Sequence, residues 1–178
     1  MKTPLQHMEI RTFETDARNS EESIIRLPKT SPVGGDYGRV RAAGLKNHQG
    51  WDLVATVGTP VVAISDGIVE WVHLYTGDPD SDPYGNQICL RTAMKRKFTG
   101  ETIWAFYAHL LISSVHRHQH VSEGQVIGMV GKTGNAIDVP SHLHFEIRTS
   151  GERLGKGLLY RLNPGEILGY RYYACAAG

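Results

Sequence analysis

Apolar and polar side chains alternate most regularly in the segment His142–Arg148, whose sequence is HLHFEIR. Successive side chains of a β-strand point to opposite faces, so this alternation predicts a strand with one apolar and one polar face. The apolar face would carry Leu143, Phe145 and Ile147, and the polar face His142, His144 and Glu146. The pattern therefore places two histidines side by side above an apolar anchor. For Glu146, a solvated carboxylate on a surface strand is the favoured interpretation, and support of a neighbouring histidine is the alternative.

Further strands are predicted where β-branched and aromatic residues run between turn signals. They cover the apolar positions from Val54 to Ile64, and then Ile68 to Val72, Asn86 to Thr92 and Glu101 to Leu111. In the last of these, alternation places Trp104, Phe106, Ala108 and Leu110 on one side. His109 falls on the other, less apolar side. Few segments look helical, so we expect a mostly β fold made of a compact antiparallel sheet or sandwich, with few or short helices.

Composition adds little to this pattern except a surplus of histidine. The chain has 178 residues, 40% hydrophobic residues and a formal net charge of +1, which is ordinary for one globular domain. This charge does not favour nucleic acid or a membrane surface as a partner. We expect a lead-in arm over residues 1–32 and a single domain over residues 33–178. Met1 to Asp16 lacks an apolar signal region, and no apolar run reaches about 18 residues, so we expect neither a visible secretory signal nor a membrane span.

Nine histidines justify a search for metal-ligand spacing. His48 and Asp52 are four residues apart, a spacing that shares one face of a helix or a strand. Together with His144 they make three N or O ligands, the number that a catalytic zinc takes from a protein while one position stays open for water. His109 and His142 are suited to handling a proton or stabilising an oxyanion beside such a metal.

Two other clusters are expected to be solvated. The sequence HRHQH at His116–His120 lies in a connection between strands, which favours an exposed edge or loop over a metal face. The acidic loop Gly77–Gly85 does not match the aspartate and glutamate spacing of a calcium loop. Cys89 is predicted to be a small buried hydrophobe, and whether it pairs with Cys175 stays open.

Seven motifs in a fixed order carry a resemblance to a known family. They are HQGWDLVA (48–55), VGTPVVAISDGIV (57–69), YGN (84–86), YAHL (107–110), VSEGQVIGMVGKTGNA (121–136), HLHFEIR (142–148) and LNP (162–164). Over residues 35–165 the chain thereby resembles the M23 (LytM/lysostaphin-like) zinc metallopeptidases, which cut peptide bonds in bacterial peptidoglycan. The resemblance implies a groove walled by loops, zinc bound by His48, Asp52 and His144, and catalytic roles for His109 and His142.

The resemblance leaves several alternatives open. The bond could lie in a glycine bridge or in a D-amino-acid cross-link of diaminopimelate-type peptidoglycan, and Trp51 stands where a smaller aliphatic residue is common. A non-catalytic module that regulates another wall hydrolase and a zinc carboxypeptidase are the competing functions. The substrate implies action outside the cytoplasm, in the periplasm or cell wall of the same or a rival cell, by an unknown export route. Delivery as a toxin would imply a cognate inhibitor, or immunity, protein.

Overall fold

The computed structural model describes residues 3–6, 19–20, 24–28, 35–41, 46–169 and 171–175. This part of the chain forms fourteen strands, one 3₁₀ turn (Gly134–Ala136) and one short helix, α1 (Pro164–Leu168). The strands are β1 (Asn19–Ser20), β2 (Ile24–Pro28), β3 (Gly38–Arg41), β4 (Lys46–His48), β5 (Trp51–Val54), β6 (Pro60–Val62), β7 (Gly67–His73), β8 (Asn86–Lys95), β9 (Thr102–Ser113), β10 (His120–Val121), β11 (Val126–Val130), β12 (His142–Arg148), β13 (Arg161–Leu162) and β14 (Arg171–Cys175). The predicted mostly β fold is confirmed.

One nine-stranded antiparallel sheet organises the described residues. Its main path runs β10-β7-β8-β9-β11-β6, and β12 joins it through β9. The long strand β9 pairs with β12 along one half of an edge and with β11 along the other half. β12 also pairs with β5 and β13, so it lies between strands that are distant in sequence. A smaller sheet joins β2 and β14 in parallel. No helix in the described ranges is long and apolar enough to cross a membrane.

The apolar face of β12 lies in the core, as its alternation predicts. Leu143, Phe145 and Ile147 are fully buried, and the Phe145 ring packs 5.3 Å from that of Tyr107 on β9. Leu5 is also part of this core, and the Pro4 carbonyl accepts a hydrogen bond from the Val62 amide. The division between an arm and a domain at residue 32 stays a prediction, because most of residues 7–34 lie outside the described ranges.

The register between β12 and β5 places His144 directly opposite Asp52. Directly opposite residues of an antiparallel pair project to the same face of the sheet, so these two side chains meet. Gly50 makes the approach to β5 possible, because a Cβ there would overlap the carbonyl oxygen of Phe145. His48, at the end of β4 and two residues before Gly50, then reaches the same face as Asp52.

His109 reaches this face by a route that alternation does not predict. Ala108 and Phe106 lie opposite His144 and Glu146, so simple alternation would send His109 to the core side with Tyr107. Asn86 pairs with Leu110 and Ile88 with Tyr107, which leaves one extra residue in β9. His109 stands in this bulge with φ of 59°. The left-handed backbone turns the His109 side chain towards the polar face. Phe106 and Ala108 therefore project to the same face as His109, and the prediction that they lie on the other face is wrong.

Candidate metal centre and active site

Three ligand atoms converge at the meeting point of β4, β5 and β12. His48 Nε2 lies 3.1 Å from Asp52 Oδ1 and 3.2 Å from His144 Nδ1, and the last two atoms are 2.8 Å apart. Tetrahedral zinc with bonds of about 2.0–2.1 Å holds its ligand atoms about 3.3 Å from one another, so this donor set fits zinc after a small expansion. Among the described residues, these three form the one histidine, cysteine and carboxylate group compact enough to hold a metal.

The ligands form a charged, buried pair before any metal arrives. Burial opposes ionisation of Asp52, but the charge of His48 and the hydrogen bonds from His144 and His48 hold the pKa of this carboxyl well below its usual value. Burial likewise opposes a charge on His144, but hydrogen bonds to Asp52 and Glu146 raise its pKa. A metal held here would compete with a proton for His144 Nδ1, so its binding would weaken as the pH falls.

Each ligand ring is oriented through its second nitrogen. His48 Nδ1 donates to the Asp36 carbonyl at 2.8 Å, which turns Nε2 towards the centre. His144 is turned the other way: its Nε2 donates to Glu146 Oε1 at 2.9 Å, and its Nδ1 faces the centre. Asp36 is itself fixed by the Trp51 indole, which donates to its carboxylate at 2.9 Å. Trp51 therefore fixes Asp36, and the Asp36 carbonyl in turn orients the His48 ring.

His109 and His142 lie beside the ligand set with their rings 5.0 Å apart. One connection, residues 132–140, anchors both: His109 Nδ1 donates to the Thr133 carbonyl at 2.9 Å, and His142 Nδ1 donates to the Pro140 carbonyl at 2.8 Å. Both rings therefore keep Nε2 for the site, and that of His142 lies 3.7 Å from Asp52 Oδ1. The structure brings together all five residues that the sequence singled out.

Burial gives His109 a defined charge state. Burial, followed by the charges of His142 and His144, lowers the pKa of His109 to about 3. The ring is thus neutral at neutral pH, and its Nε2 can accept a proton.

Two side chains of the site were missed or misjudged from the sequence. Tyr84 packs its ring 5.4 Å from that of His144, and its carbonyl accepts a hydrogen bond from the His109 amide. The YGN motif includes Tyr84, but the sequence indicated no role for this side chain. Glu146 was expected at the surface, yet its exposure is 0% because β12 is covered on both faces. The alternative interpretation, support of a histidine, is what its contact with His144 shows.

The competing clusters do not assemble. His116 and His118 are exposed in the turn that leads into β10, and His120 is exposed at the start of this strand. His116 Nδ1 contacts the neighbouring Arg117 carbonyl. In the acidic loop, Asp78 and Asp80 are exposed, while buried Asp82 accepts a hydrogen bond from His73 at 2.6 Å. Cys89 is a free, buried thiol, as predicted for a small hydrophobe; the Cys175 side chain lies outside the described residues.

A buried His-Asp-His set next to two further histidines is an arrangement suited to a metal-dependent hydrolase. The chain belongs to peptidase family M23, whose family model matches residues 46–155. This match confirms the resemblance drawn from the motifs. The family assignment covers the segment that carries all five site residues.

Named relatives agree with this assignment. The chain is 35% identical over 105 residues to the DD-carboxypeptidase/endopeptidase Mpg of Neisseria meningitidis, covering 59% of this chain and 21% of that protein. It is 38% identical over 147 residues to the glycyl-glycine endopeptidase ALE-1 of Staphylococcus capitis, covering 79% and 35%. The chain thus spans about a fifth of the length of the first of these relatives.

The fold is also shared with a solved structure. The catalytic domain of lysostaphin from Staphylococcus simulans superposes with a TM-score of 0.55 at 29% identity, covering 76% of this chain and 87% of that one. The antiparallel sheet found here is therefore shared with that catalytic domain.

Proposed function

We propose that this protein is a zinc-dependent endopeptidase that hydrolyses peptide cross-links of bacterial peptidoglycan. The observation that carries the proposal is the convergence of three ligand atoms within 3.2 Å, with two further histidine Nε2 atoms kept for the same space. His48, Asp52 and His144 would hold the metal. Zinc at this position supplies Lewis-acid polarisation of a peptide carbonyl and makes water nucleophilic at neutral pH.

The two remaining histidines have complementary tasks in the proposal. His109 is neutral, and its Nε2 accepts the proton of the attacking water. His142 Nε2 lies 3.7 Å from Asp52 Oδ1, and in the proposal this nitrogen carries a proton. A protonated His142 donates a hydrogen bond to the oxyanion and then a proton to the departing amine. Both steps use nitrogens that the chain has already turned towards the site.

Peptidoglycan is proposed as the substrate because a further relative, at 34% identity over 107 residues, is the peptidoglycan DD-endopeptidase ShyC of Vibrio cholerae. Mpg is a DD-carboxypeptidase/endopeptidase and ALE-1 a glycyl-glycine endopeptidase. These names divide between the two kinds of cross-link, so product analysis has to decide the bond. Hydrolysis of this substrate places the activity outside the cytoplasm. A cognate inhibitor protein would accompany the enzyme if it is delivered into rival cells.

Mass spectrometry of products from purified sacculi tests the function. The zinc-loaded protein alone should release soluble muropeptides, and removal of the metal by a chelator should stop release until zinc is restored. The masses identify the cleaved bond and distinguish an endopeptidase from a carboxypeptidase, which would release only single terminal residues. Absence of any new product, from protein that carries its zinc, would favour the non-catalytic regulatory module.

A further inference from the structure

Glu146 is a buried carboxylate with every oxygen engaged. Oε1 accepts a hydrogen bond from His144 Nε2 at 2.9 Å. Oε2 accepts from Arg148 Nε and from Arg161 Nε, each at 2.7 Å. Burial of a charged carboxylate costs free energy unless the charge is paired with a cation. Glu146 is 0% exposed, and two guanidinium groups pair with it. Its contacts thus define one orientation for each oxygen.

The two arginines are themselves fixed. The Arg148 guanidinium lies over the Phe106 ring at 3.6 Å, a cation–π contact in the same layer as His144. Arg161 comes from β13 and donates through Nη1 to the Gly157 carbonyl at 3.0 Å. Both guanidinium groups are buried, so neither can leave Oε2 without breaking a buried contact. The charge on Oε2 is therefore held from two sides.

We infer that Glu146 is a positioning residue that keeps His144 turned with Nδ1 towards the metal, and that Arg148 and Arg161 fix the carboxylate for this task. A carboxylate that accepts the proton of a ligand imidazole sets which ring nitrogen is left for the metal. His48 has its proton accepted by a backbone carbonyl, whereas His144 depends on a side chain. This inference rests on the metal site of the proposed function.

Glutamine at this position is predicted to be a disruptive change despite its similar size. Two arginine N–H groups point at the Oε2 position and require an oxygen there. The amide NH₂ of Glu146→Gln would then occupy the Oε1 position and donate to His144 Nε2. His144 would have to carry its proton on Nδ1, the atom that faces Asp52 and His48. In the parent, loss of the Nδ1 proton leaves a neutral ring whose other proton stays on Nε2, whereas in the variant it would leave an imidazolate anion, so the variant opposes metal binding at Nδ1.

Zinc affinity, measured by competition with a chromophoric chelator, tests the inference without any substrate. We expect Glu146→Gln to bind zinc about 10- to 100-fold more weakly than the parent protein. Glu101→Gln is the matched control, because Glu101 is also bonded to an arginine, Arg96, at 2.7 Å but is exposed and remote from the ligands. Affinity of Glu146→Gln within about twofold of that control would overturn the inference.

The parent protein supplies a second measurement that no folding defect can affect. In zinc-loaded, ¹⁵N-labelled protein, long-range ¹H–¹⁵N spectra should show the His144 proton on Nε2 and the metal on Nδ1. Metal on Nε2 would overturn the inference even if Glu146→Gln fails to fold. Failure of the proposed function looks different: a protein that binds zinc through Nδ1 of His144 and releases no muropeptides keeps the inference and loses the peptidase.

Discussion

The densest group of histidines in the sequence and the group that builds the site behave in opposite ways. His116, His118 and His120 fall within five residues but are exposed, in a turn and at the start of β10. The site histidines come from three strands up to 96 residues apart, and their rings are buried. Proximity in sequence therefore says little about metal binding in this protein.

What separates the two groups is the support of the second ring nitrogen. Each buried site histidine donates one N–H to a fixed acceptor, a backbone carbonyl in three cases and Glu146 in the fourth. In the exposed turn, the contact described for a ring nitrogen is between His116 and its own neighbour. A ring fixed in one tautomer and orientation is ready to bind a metal, whereas a free ring must lose rotational freedom first.

Removal of a ligand should give the largest effect. Asp52→Ala leaves two buried imidazoles without their carboxylate, so we expect zinc content to fall to near zero and hydrolysis of sacculi to disappear. Asp80→Ala, an exposed aspartate of the acidic loop, serves as the control and should keep both. Elemental analysis and turbidity clearing measure the two effects. Retained zinc in Asp52→Ala would show that the ligand set is different.

Removal of a proton-handling histidine should separate chemistry from metal binding. His109→Ala and His142→Ala are expected to keep zinc but to lose about 10²- to 10⁴-fold in hydrolysis rate. His109→Asn is the sharper variant, because asparagine tolerates the left-handed backbone that the bulge requires. Full activity in either His109 variant would refute its assignment.

An effect of intermediate size is expected on stability. Unfolding of the metal-free protein over a series of pH values tests whether His109 is held neutral. The pKa of His109 is lowered to about 3 in the folded chain from 6.5, so the unfolded chain takes up a proton that the folded chain refuses. This residue's contribution to stability is therefore present above pH 6.5 and lost as the pH falls towards 3. His144, with a raised pKa, acts in the opposite direction.

Comparison of the parent protein with His109→Asn isolates the first contribution. We expect the unfolding free energy of the parent, relative to this variant, to decrease between pH 7 and pH 4. Chemical denaturation at each pH measures the difference. A difference that is constant with pH would show that His109 is not held neutral by its surroundings.

The smallest effect is expected where the histidines are densest. The triple variant His116→Ala, His118→Ala and His120→Ala removes three exposed rings, so zinc content and hydrolysis should stay within about twofold of the parent. The same assays used for Asp52→Ala apply. Loss of one equivalent of zinc in this variant would show that the exposed histidines bind metal, contrary to our account.

The sequence predicts the strands well because strand patterns follow local rules, and the assignment of metal ligands stays a prediction. Alternation in His142–Arg148 identifies the strand and its buried face, and the spacing of His48 and Asp52 brings two ligands to one side. The motifs that gave the family also gave the five site residues, which the structure brings together. Their individual roles stay predictions.

The orientation of His109 and the burial of Glu146 depend on long-range contacts that no local sequence pattern encodes. The bulge that turns His109 arises from pairing between β8 and β9. Without the bulge, the register of β9 with β12 would have pointed this side chain into the core beside Tyr107. Glu146 looked like a surface residue because Arg161, which neutralises it, lies fifteen positions away on another strand. Long-range pairing, rather than propensity, decided both.

Anomalous diffraction from zinc-loaded crystals at the zinc absorption edge tests the central claim most directly. The account predicts a single strong peak per chain, bonded to His48 Nε2, Asp52 Oδ1 and His144 Nδ1, with His109 and His142 nearby but not bonded. A peak at the exposed turn of His116–His120, or one bonded through Nε2 of His144, would contradict it.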